Sequence, residues 1–189
     1  NRNSASGSER ATSRKPKQRG RKAKRSITHY AKTETAHKSA AFKEPYVKRR
    51  CVVPVSGFYE WCRENNQKVP YFITPQDHEG LLLAGLWDSW RNRESNEELL
   101  SFTILTTQAN DGIKFVHHRQ PVMLSMEDAK RWFDMTVPTK DLEGLFASRL
   151  PMDLDAIPVS TYVKNARNKD ERCVQAIGTP AAVLPVADQ

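Results

Sequence analysis

The sequence predicts an α+β fold, built on a mostly antiparallel sheet or a partly closed barrel with a few short helices. Two observations indicate this class. Short β-branched or aromatic runs, bounded by Pro, Gly and charged turns, occur along most of the chain from Ser26 onward. Two amphipathic segments lie together between two of these runs, and helices do not alternate with the runs along the chain. This arrangement is typical of α+β and not of α/β proteins.

The β-like runs are residues 51–55, 70–74 (PYFIT), 81–87 (LLLAGLW), 101–107 (SFTILTT) and 157–163 (IPVSTYV). Between the third and fourth runs lies the polar stretch DSWRNRESNEE, which predicts a hairpin-like connection. We also expect Trp87, at the end of the third run, to lie in the core.

Two helices are predicted between the fourth and fifth runs. In SMEDAKRWFD, Ser125 is the expected N-cap and Asp128 follows three residues later, as in a capping box. Trp132 would belong to its apolar face and to the core. In TKDLEGLFAS, Thr139 is the expected cap of the second helix.

Charge divides the chain into a basic tail, residues 1–25, and a domain, residues 26–189. The net charge is +8, yet the first 25 residues alone hold ten Lys or Arg and one acid, so the domain is close to neutral. The tail has no aromatic residue, Leu, Ile or Val, and we expect it to be disordered. It would attract nucleic-acid phosphates without reading sequence, or serve as a solubilising or nuclear-localisation arm.

The cysteines favour an intracellular protein. Three widely spaced cysteines (Cys51, Cys62 and Cys173) suit neither a disulfide framework nor a zinc site, so we expect neither metal nor cofactor. No apolar run reaches membrane-spanning length. We therefore expect an intracellular monomer with no membrane partner.

Glu60 is the first candidate functional residue, in the stretch CVVPVSGFYEW. We expect it at a strand end, walled by aromatic side chains, where burial raises the pKa of a carboxyl and suits it to acid–base work. The alternative is a glutamate paired with an arginine at the sheet edge. Trp61 could stack on a base or fill the core.

VHHRQPVML is the second candidate region. In an extended segment His117 and Arg119 share one face and His118 faces the other way, so the pair could meet a sugar hydroxyl and a phosphate together. A core histidine beside an exposed arginine is equally compatible. Asn165 and Arg167, after the last run, would be turn residues or phosphate contacts, and the structural interpretation is favoured.

Taken in order, RRCVVPVSGFYEW, PYFI, LLLAGLWDSW, FTILTT, VHHRQPVML and IPVSTYVKNARN resemble the SOS-response-associated peptidase family, over about residues 31–177. The resemblance implies a compact α+β domain with a partly closed barrel and a groove for single-stranded DNA. It also implies covalent processing of abasic sites in the DNA damage response, with associated autopeptidase or lyase chemistry.

The resemblance assigns roles to individual residues. Glu60 and His117 would be catalytic, moving protons as the abasic sugar opens, while Arg119 would hold a phosphate and Trp61 would line the site. YAKTETAHKSAAF is similar to the family's Asn-Ala-Arg-x-Glu-Thr stretch, so Lys32 stands in place of an arginine that would contact DNA, and Tyr30 in place of the asparagine. Asn165 and Arg167 complete the expected DNA contacts.

The family's nucleophile is an N-terminal cysteine, which captures the aldehyde as a thiazolidine. No cysteine precedes Cys51 in this sequence, so we expect impaired cross-linking. Two other functions remain open. One is a non-catalytic module that binds single-stranded DNA with steep salt dependence and no preference for abasic sites. The other is a thiol-independent lyase or self-processing peptidase that depends on Glu60 and His117.

Overall fold

The computed structural model describes residues 30–77 and 79–184. Its strands are β1 (Tyr30–Lys32), β2 (Arg50–Val55), β3 (Phe58–Glu64), β4 (Gln67–Pro75), β5 (Leu81–Arg91), β6 (Glu98–Gln108), β7 (Arg119–Pro121), β8 (Met123–Leu124), β9 (Leu154–Pro158) and β10 (Ala181–Val183). The α-helices are α1 (Thr33–Ala36), α2 (Lys43–Lys48) and α3 (Met126–Phe133). Three 3₁₀ helices cover Thr139–Phe146, Thr161–Lys164 and Glu171–Cys173. The predicted basic tail lies outside the described residues.

The strands form two sheets. The larger one has the order β1-β6-β5-β2, with β7 added to β6 and β8 to β5, and it curls into a half-barrel. The smaller one has the order β10-β9-β4-β3. Among the described strands, β1 and β6 run parallel and the other paired strands run antiparallel. The predicted α+β class with a mostly antiparallel, partly closed sheet is confirmed.

Four of the five predicted runs lie within strands, and the fifth is partly wrong. The run 157–163 leaves β9 after Pro158, and the chain enters a 3₁₀ helix at Thr161. Ser160 causes the change, because its hydroxyl accepts a hydrogen bond from the backbone N–H of Tyr162 at 3.2 Å. Such local side-chain bonds compete with the sheet ladder.

The predicted helix at residue 125 is confirmed. Ser125 caps α3: its hydroxyl accepts from the Asp128 N–H at 3.1 Å and donates to the Asp128 carboxylate at 3.0 Å. The second predicted helix is a 3₁₀ helix, and Thr139 does not cap it. Pro138 occupies the cap position with φ −59° and ψ 140°, and its carbonyl accepts the first turn's bond from Asp141 N–H at 3.0 Å.

The hairpin of β3 and β4 was not predicted, and it changes the setting of Glu60. Its two-residue turn consists of Asn65 (φ 45°) and Asn66 (φ 62°), both in the left-handed region that asparagine tolerates, as a type I′ turn requires. Glu60 is therefore the third residue of a seven-residue strand and not the end of one.

The core has two parts, one on each face of the larger sheet. One part lies between the sheets and includes Ile73, Leu83 and Leu154. The other lies between the larger sheet and the helices and includes Leu105 and the fully buried Trp132, as predicted.

The prediction that Trp87 is a core residue is wrong. Its side chain is 39% exposed, and its cross-strand partner Phe102 is exposed too. Leu86, the preceding residue, takes the buried position that faces the helices. Because side chains alternate along a strand, Trp87 faces the other side, near the open end of the β5–β6 ladder.

Arg50 is a buried charge that sequence reasoning did not single out. Its guanidinium donates to the backbone carbonyls of Trp132 at 2.7 Å, of Val137 at 3.3 Å, and of Asp134. Carbonyls at the end of α3 have no partner within the helix. Arg50 satisfies the carbonyl of Trp132 and also bonds two carbonyls that follow the helix, which ties this part of the chain to β2.

Candidate active site

A cavity of about 560 Å³ lies between the two sheets. Its floor is apolar and includes Val53, Leu83 and Ile104, while Tyr30 and Phe102 contribute aromatic rings. Glu60, Trp61, His117, Arg119 and Lys32 also line it. The structure therefore brings together five of the seven residues expected to function, which are up to 87 positions apart in the chain.

Glu60 reaches the cavity from β3, where it stands opposite Tyr71 of β4. Its side chain is 26% exposed. Burial raises the pKa of the Glu60 carboxyl, and the nearby His117 and a backbone hydrogen bond at Trp61 offset only part of that rise. A carboxyl in such a setting exchanges protons closer to neutral pH than an ordinary glutamate does.

His117 is carried by a loop that buried polar contacts hold in place. Gln120 is fully buried; its amide donates to the Arg149 carbonyl at 3.0 Å, and its amide oxygen accepts from the Asn110 N–H at 2.8 Å. The Ala109 N–H donates to the His118 carbonyl at 3.0 Å. The loop ends directly before β7, so His117 stands beside the larger sheet and faces the cavity.

The imidazole of His117 has two alternative local partners. Its Nδ1 lies 3.2 Å from the Arg119 backbone nitrogen and 3.1 Å from the Arg119 carbonyl oxygen. Without a proton Nδ1 accepts from the N–H, and with a proton it donates to the carbonyl. The same Nδ1 is 3.8 Å from Oε1 of Glu60. Nδ1 therefore has a backbone partner with or without a proton, next to the Glu60 carboxyl.

Arg119 reaches the cavity, but its guanidinium is already engaged. Nη1 and Nη2 donate to the two carboxylate oxygens of Glu34 at 2.9 and 3.0 Å, and Nε donates to the Thr106 hydroxyl at 3.2 Å. Nη2 also donates to the Thr106 carbonyl. Arg119 holds the pKa of the Glu34 carboxyl below its usual range, which means that the pair is charged. Four of the five N–H donors of a guanidinium are therefore occupied.

Lys32 and Trp61 stand at the exposed side of the cavity. The ammonium of Lys32 makes no ion pair with any residue of the described part of the chain, and its side chain is exposed. Trp61 is partly exposed directly after Glu60. A free cation and an indole that line one cavity can contact a phosphate and a stacked base of the same strand.

Asn165 and Arg167 do not line this cavity. Asn165 ends the 3₁₀ helix Thr161–Lys164, and its side-chain oxygen accepts from the Arg167 N–H at 3.1 Å, closing a local turn. This contact agrees with the interpretation that the sequence favours, in which the two residues form a turn.

The three cysteines of the chain also lie outside the cavity lining. Burial raises the pKa of the Cys51 thiol, and Cys62 donates to the Phe115 carbonyl at 3.0 Å. A raised pKa disfavours the thiolate, which is the reactive form. Within the described residues no group of three or more His, Cys, Asp or Glu side chains could hold a metal ion, and no helix is long and apolar enough to cross a membrane.

Comparison with known proteins decides the family. The sequence model described as SOS response associated peptidase (SRAP) matches residues 13–166. The chain belongs to the SRAP family. Among curated SRAP relatives, "Abasic site processing protein HMCES" of Gallus gallus is 32% identical over 183 residues, covering 85% of this chain and 54% of that protein. "Abasic site processing protein YoqW" of Bacillus subtilis is 31% identical over 148 residues, covering 77% of this chain and 66% of that protein.

A solved structure also supports the SRAP assignment. A crystal structure of a protein from Bacteroides thetaiotaomicron superposes with a TM-score of 0.69 at 28% identity, covering 78% of this chain and 65% of that one. The chain spans between about half and two thirds of the length of these relatives.

Glu34 and Thr106 are site residues that sequence reasoning did not assign. Both hydrogen-bond Arg119: Thr106 lies on β6, 13 positions away, and Glu34 lies on α1, 85 positions away. A signal for Glu34 existed, because it belongs to the YAKTETAH stretch that is similar to a family motif. No pattern in the sequence indicated Thr106.

Proposed function

We propose that this chain, as an intracellular monomer, processes abasic sites in single-stranded DNA. The observation that carries the proposal is the Glu60–His117 pair, 3.8 Å apart inside a largely apolar cavity. An abasic deoxyribose is a cyclic hemiacetal whose open form is an aldehyde. Opening it requires a base at one oxygen and an acid at another, which the two residues supply from neighbouring positions.

The proton movements follow from the two side chains. The Glu60 carboxylate takes the proton of the C1 hydroxyl as the C1=O bond forms. The bond between C1 and the ring oxygen breaks, and the His117 imidazolium gives a proton to that oxygen. The apolar floor excludes water and strengthens these interactions. The result is an aldehyde positioned for attack by a nucleophile. In the family that nucleophile is a cysteine.

DNA binding would come from the exposed side of the cavity. Lys32 supplies a free cation for a phosphate and Trp61 a stacking surface. Arg119 can contact a phosphate with its remaining N–H, or with its full fork if Glu34 gives way.

A denaturing gel tests the proposal with single-stranded DNA that carries one abasic site, next to an intact strand. We expect a product on the abasic strand alone, either a heat-stable shifted band or a nicked strand. Glu60→Gln and His117→Ala should each slow it by about 10²- to 10⁴-fold. Glu64→Gln is the matched control, since Glu64 lies on the same strand but bonds the Tyr71 hydroxyl at 2.8 Å outside the cavity lining.

A non-catalytic single-strand binding module is the second candidate. The position of the three cysteines, all outside the cavity lining, favours it. It requires equal binding to the abasic and intact strands with no product on either. That outcome would replace the catalytic proposal.

A further inference from the structure

Three aromatic side chains stand next to one another on the cavity face of the larger sheet. Tyr30 belongs to β1, Phe102 to β6 and Trp87 to β5, and these strands are neighbours in the order β1-β6-β5. Trp87 is directly opposite Phe102. Tyr30 is opposite Ile104, which lies two residues beyond Phe102 on β6 and therefore on the same face. Together Tyr30, Phe102 and Trp87 form what we call the aromatic strip.

The aromatic strip leads from the cavity to the protein surface. Tyr30 and Phe102 line the cavity, yet they are 58% and 63% exposed, and Trp87 beyond them is exposed too. Within the described residues, none of the three rings packs against another aromatic ring or a cation. Large apolar side chains that are exposed side by side mark an interaction surface.

A free cation stands beside the aromatic strip. Lys32 follows Tyr30 by two positions on β1, so the two side chains share one face of the sheet. Among the described residues that line the cavity, Glu60 is the one acid, and it belongs to the smaller sheet. The strip therefore combines flat apolar rings with a positive charge. A single strand of nucleic acid is complementary to both, through its bases and its phosphates.

Exposed aromatic side chains on a sheet are an established means of binding single strands. RNA recognition motifs stack two or three bases on the aromatic side chains of a four-stranded sheet. Such stacking tolerates any sequence, because every base has a π-face. The aromatic strip places its rings on three adjacent strands, which lie about 4.8 Å apart. A protein partner could also cover the strip, but it would not explain the free ammonium of Lys32 or the continuity with the cavity.

We propose that the aromatic strip binds the bases that flank an abasic site on one side. The inference rests on the proposed function, since it assigns the DNA strand a path out of the cavity, past Tyr30 and Phe102 to Trp87, with a phosphate beside Lys32. An abasic nucleotide has no base of its own to stack. The stacking contribution to its affinity must therefore come from the neighbouring nucleotides.

The first experiment uses an intact strand and does not depend on abasic-site chemistry. Fluorescence anisotropy measures the affinity of the full chain for single-stranded oligothymidine at several salt concentrations. Phe102→Leu and Trp87→Leu each remove one ring and should weaken binding about fivefold, whereas Phe102→Tyr should retain the native affinity. The leucine variants should keep the native salt dependence, because they lose no phosphate contact. Lys32→Gln should instead lower the log–log slope by about 0.7.

Phe133→Leu is the matched control for Phe102→Leu. Phe133 is 62% exposed, but it ends α3 on the other side of the larger sheet and does not line the cavity. We expect the control to bind DNA like the native chain. Equal affinities of the two leucine variants would overturn the inference. If Phe102→Leu changed only the self-association of the chain, measured by sedimentation, the strip would belong to a contact between two copies and the inference would also fail.

The second experiment connects the aromatic strip to the abasic site. Two oligonucleotides are compared, one with all its bases on the 5′ side of the abasic site and one with all of them on the 3′ side. Phe102→Leu should weaken binding of one strand about fivefold and leave the other near the native affinity. Equal effects on both strands contradict the assigned path.

A denaturing gel of the same mixtures separates the two proposals. If the native chain gives a product on abasic DNA and its affinity does not depend on the aromatic strip, the inference alone fails. If binding depends on the strip but no product forms on either strand, the proposed catalytic function alone fails.

Discussion

Nδ1 of His117 lies 3.8 Å from Oε1 of Glu60, although the two residues belong to a loop and a strand that are 57 positions apart. Burial raises the pKa of the Glu60 carboxyl, and the neighbouring imidazole opposes that rise. The distance is longer than a direct hydrogen bond, so the carboxyl and the imidazole are not committed to each other and can both take part in proton exchange with a ligand.

The raised pKa of Glu60 predicts how stability depends on pH. Below the ordinary glutamate pKa of 4.5 the carboxyl is protonated in the folded and unfolded chains alike. Between that value and the raised pKa only the folded chain retains the proton, so this group's contribution to stability falls as pH rises. Glu60→Gln, which is neutral throughout, should therefore be more stable than the native chain at pH 7, with the gain disappearing below pH 4.5.

Urea unfolding of both proteins at several pH values between 4 and 7 measures this difference. Glu94→Gln, in the exposed loop between β5 and β6, is the control and should change the unfolding free energy little at any pH. A Glu60→Gln variant that is less stable at pH 7 than at pH 4, relative to the native chain, would show that the carboxylate is stabilised and not penalised.

Glu34 should compete with DNA phosphate for Arg119. Its carboxylate occupies both Nη atoms of the guanidinium, so Glu34→Gln should release charge for a phosphate. We expect tighter binding of single-stranded DNA and a salt dependence steeper by about 0.7 in log–log slope, the value for one added contact. Fluorescence anisotropy at several salt concentrations measures both.

Adding Arg119→Ala to Glu34→Gln should reverse both changes. If Glu34→Gln instead weakens binding without altering the slope, the carboxylate orients Arg119 for DNA and does not compete with it.

Gly57 holds the turn between β2 and β3 in contact with β4. A Cβ at this position would lie 2.4 Å from the Ile73 carbonyl oxygen and 2.6 Å from the Phe72 ring. Gly57→Ala should cost about 1–3 kcal/mol of unfolding free energy through overpacking. It should also lower activity on abasic DNA, because it displaces the start of the strand that carries Glu60.

Gly144→Ala is the control for this substitution, since nothing lies within 4 Å of a Cβ there. Chemical denaturation of the two variants makes the comparison. Equal stabilities would mean that the turn yields without cost.

Arg50 should be a major stabilising residue despite its buried charge. Arg50→Met retains most of the side-chain length but leaves the carbonyls of Trp132 and Val137 without this donor. We expect a loss of about 2–4 kcal/mol, measured by urea unfolding. Lys48→Met, on the exposed face of α2, should change stability by less than about 0.5 kcal/mol. Similar losses in the two variants would contradict the role of Arg50.

Much of the fold follows from local sequence. The β-branched runs and the Ser125–Asp128 cap each act within a few residues, and both were predicted. The β3–β4 hairpin was also encoded locally, in Asn65 and Asn66, but its turn signal is weaker than one that contains glycine. Trp87 shows the limit of such reasoning, because alternation along a strand does not reveal which face a neighbouring sheet covers.

The sequence by itself determined the family, five of the ten described strands, and five of the residues that line the cavity. The tertiary structure alone decided how those residues are paired. Arg119 meets Glu34 across 85 positions, and His117 meets Glu60 across 57. Sequence patterns report interactions within one turn or one strand, whereas ion pairs, cavities and unused hydrogen-bonding groups arise only when distant segments pack together.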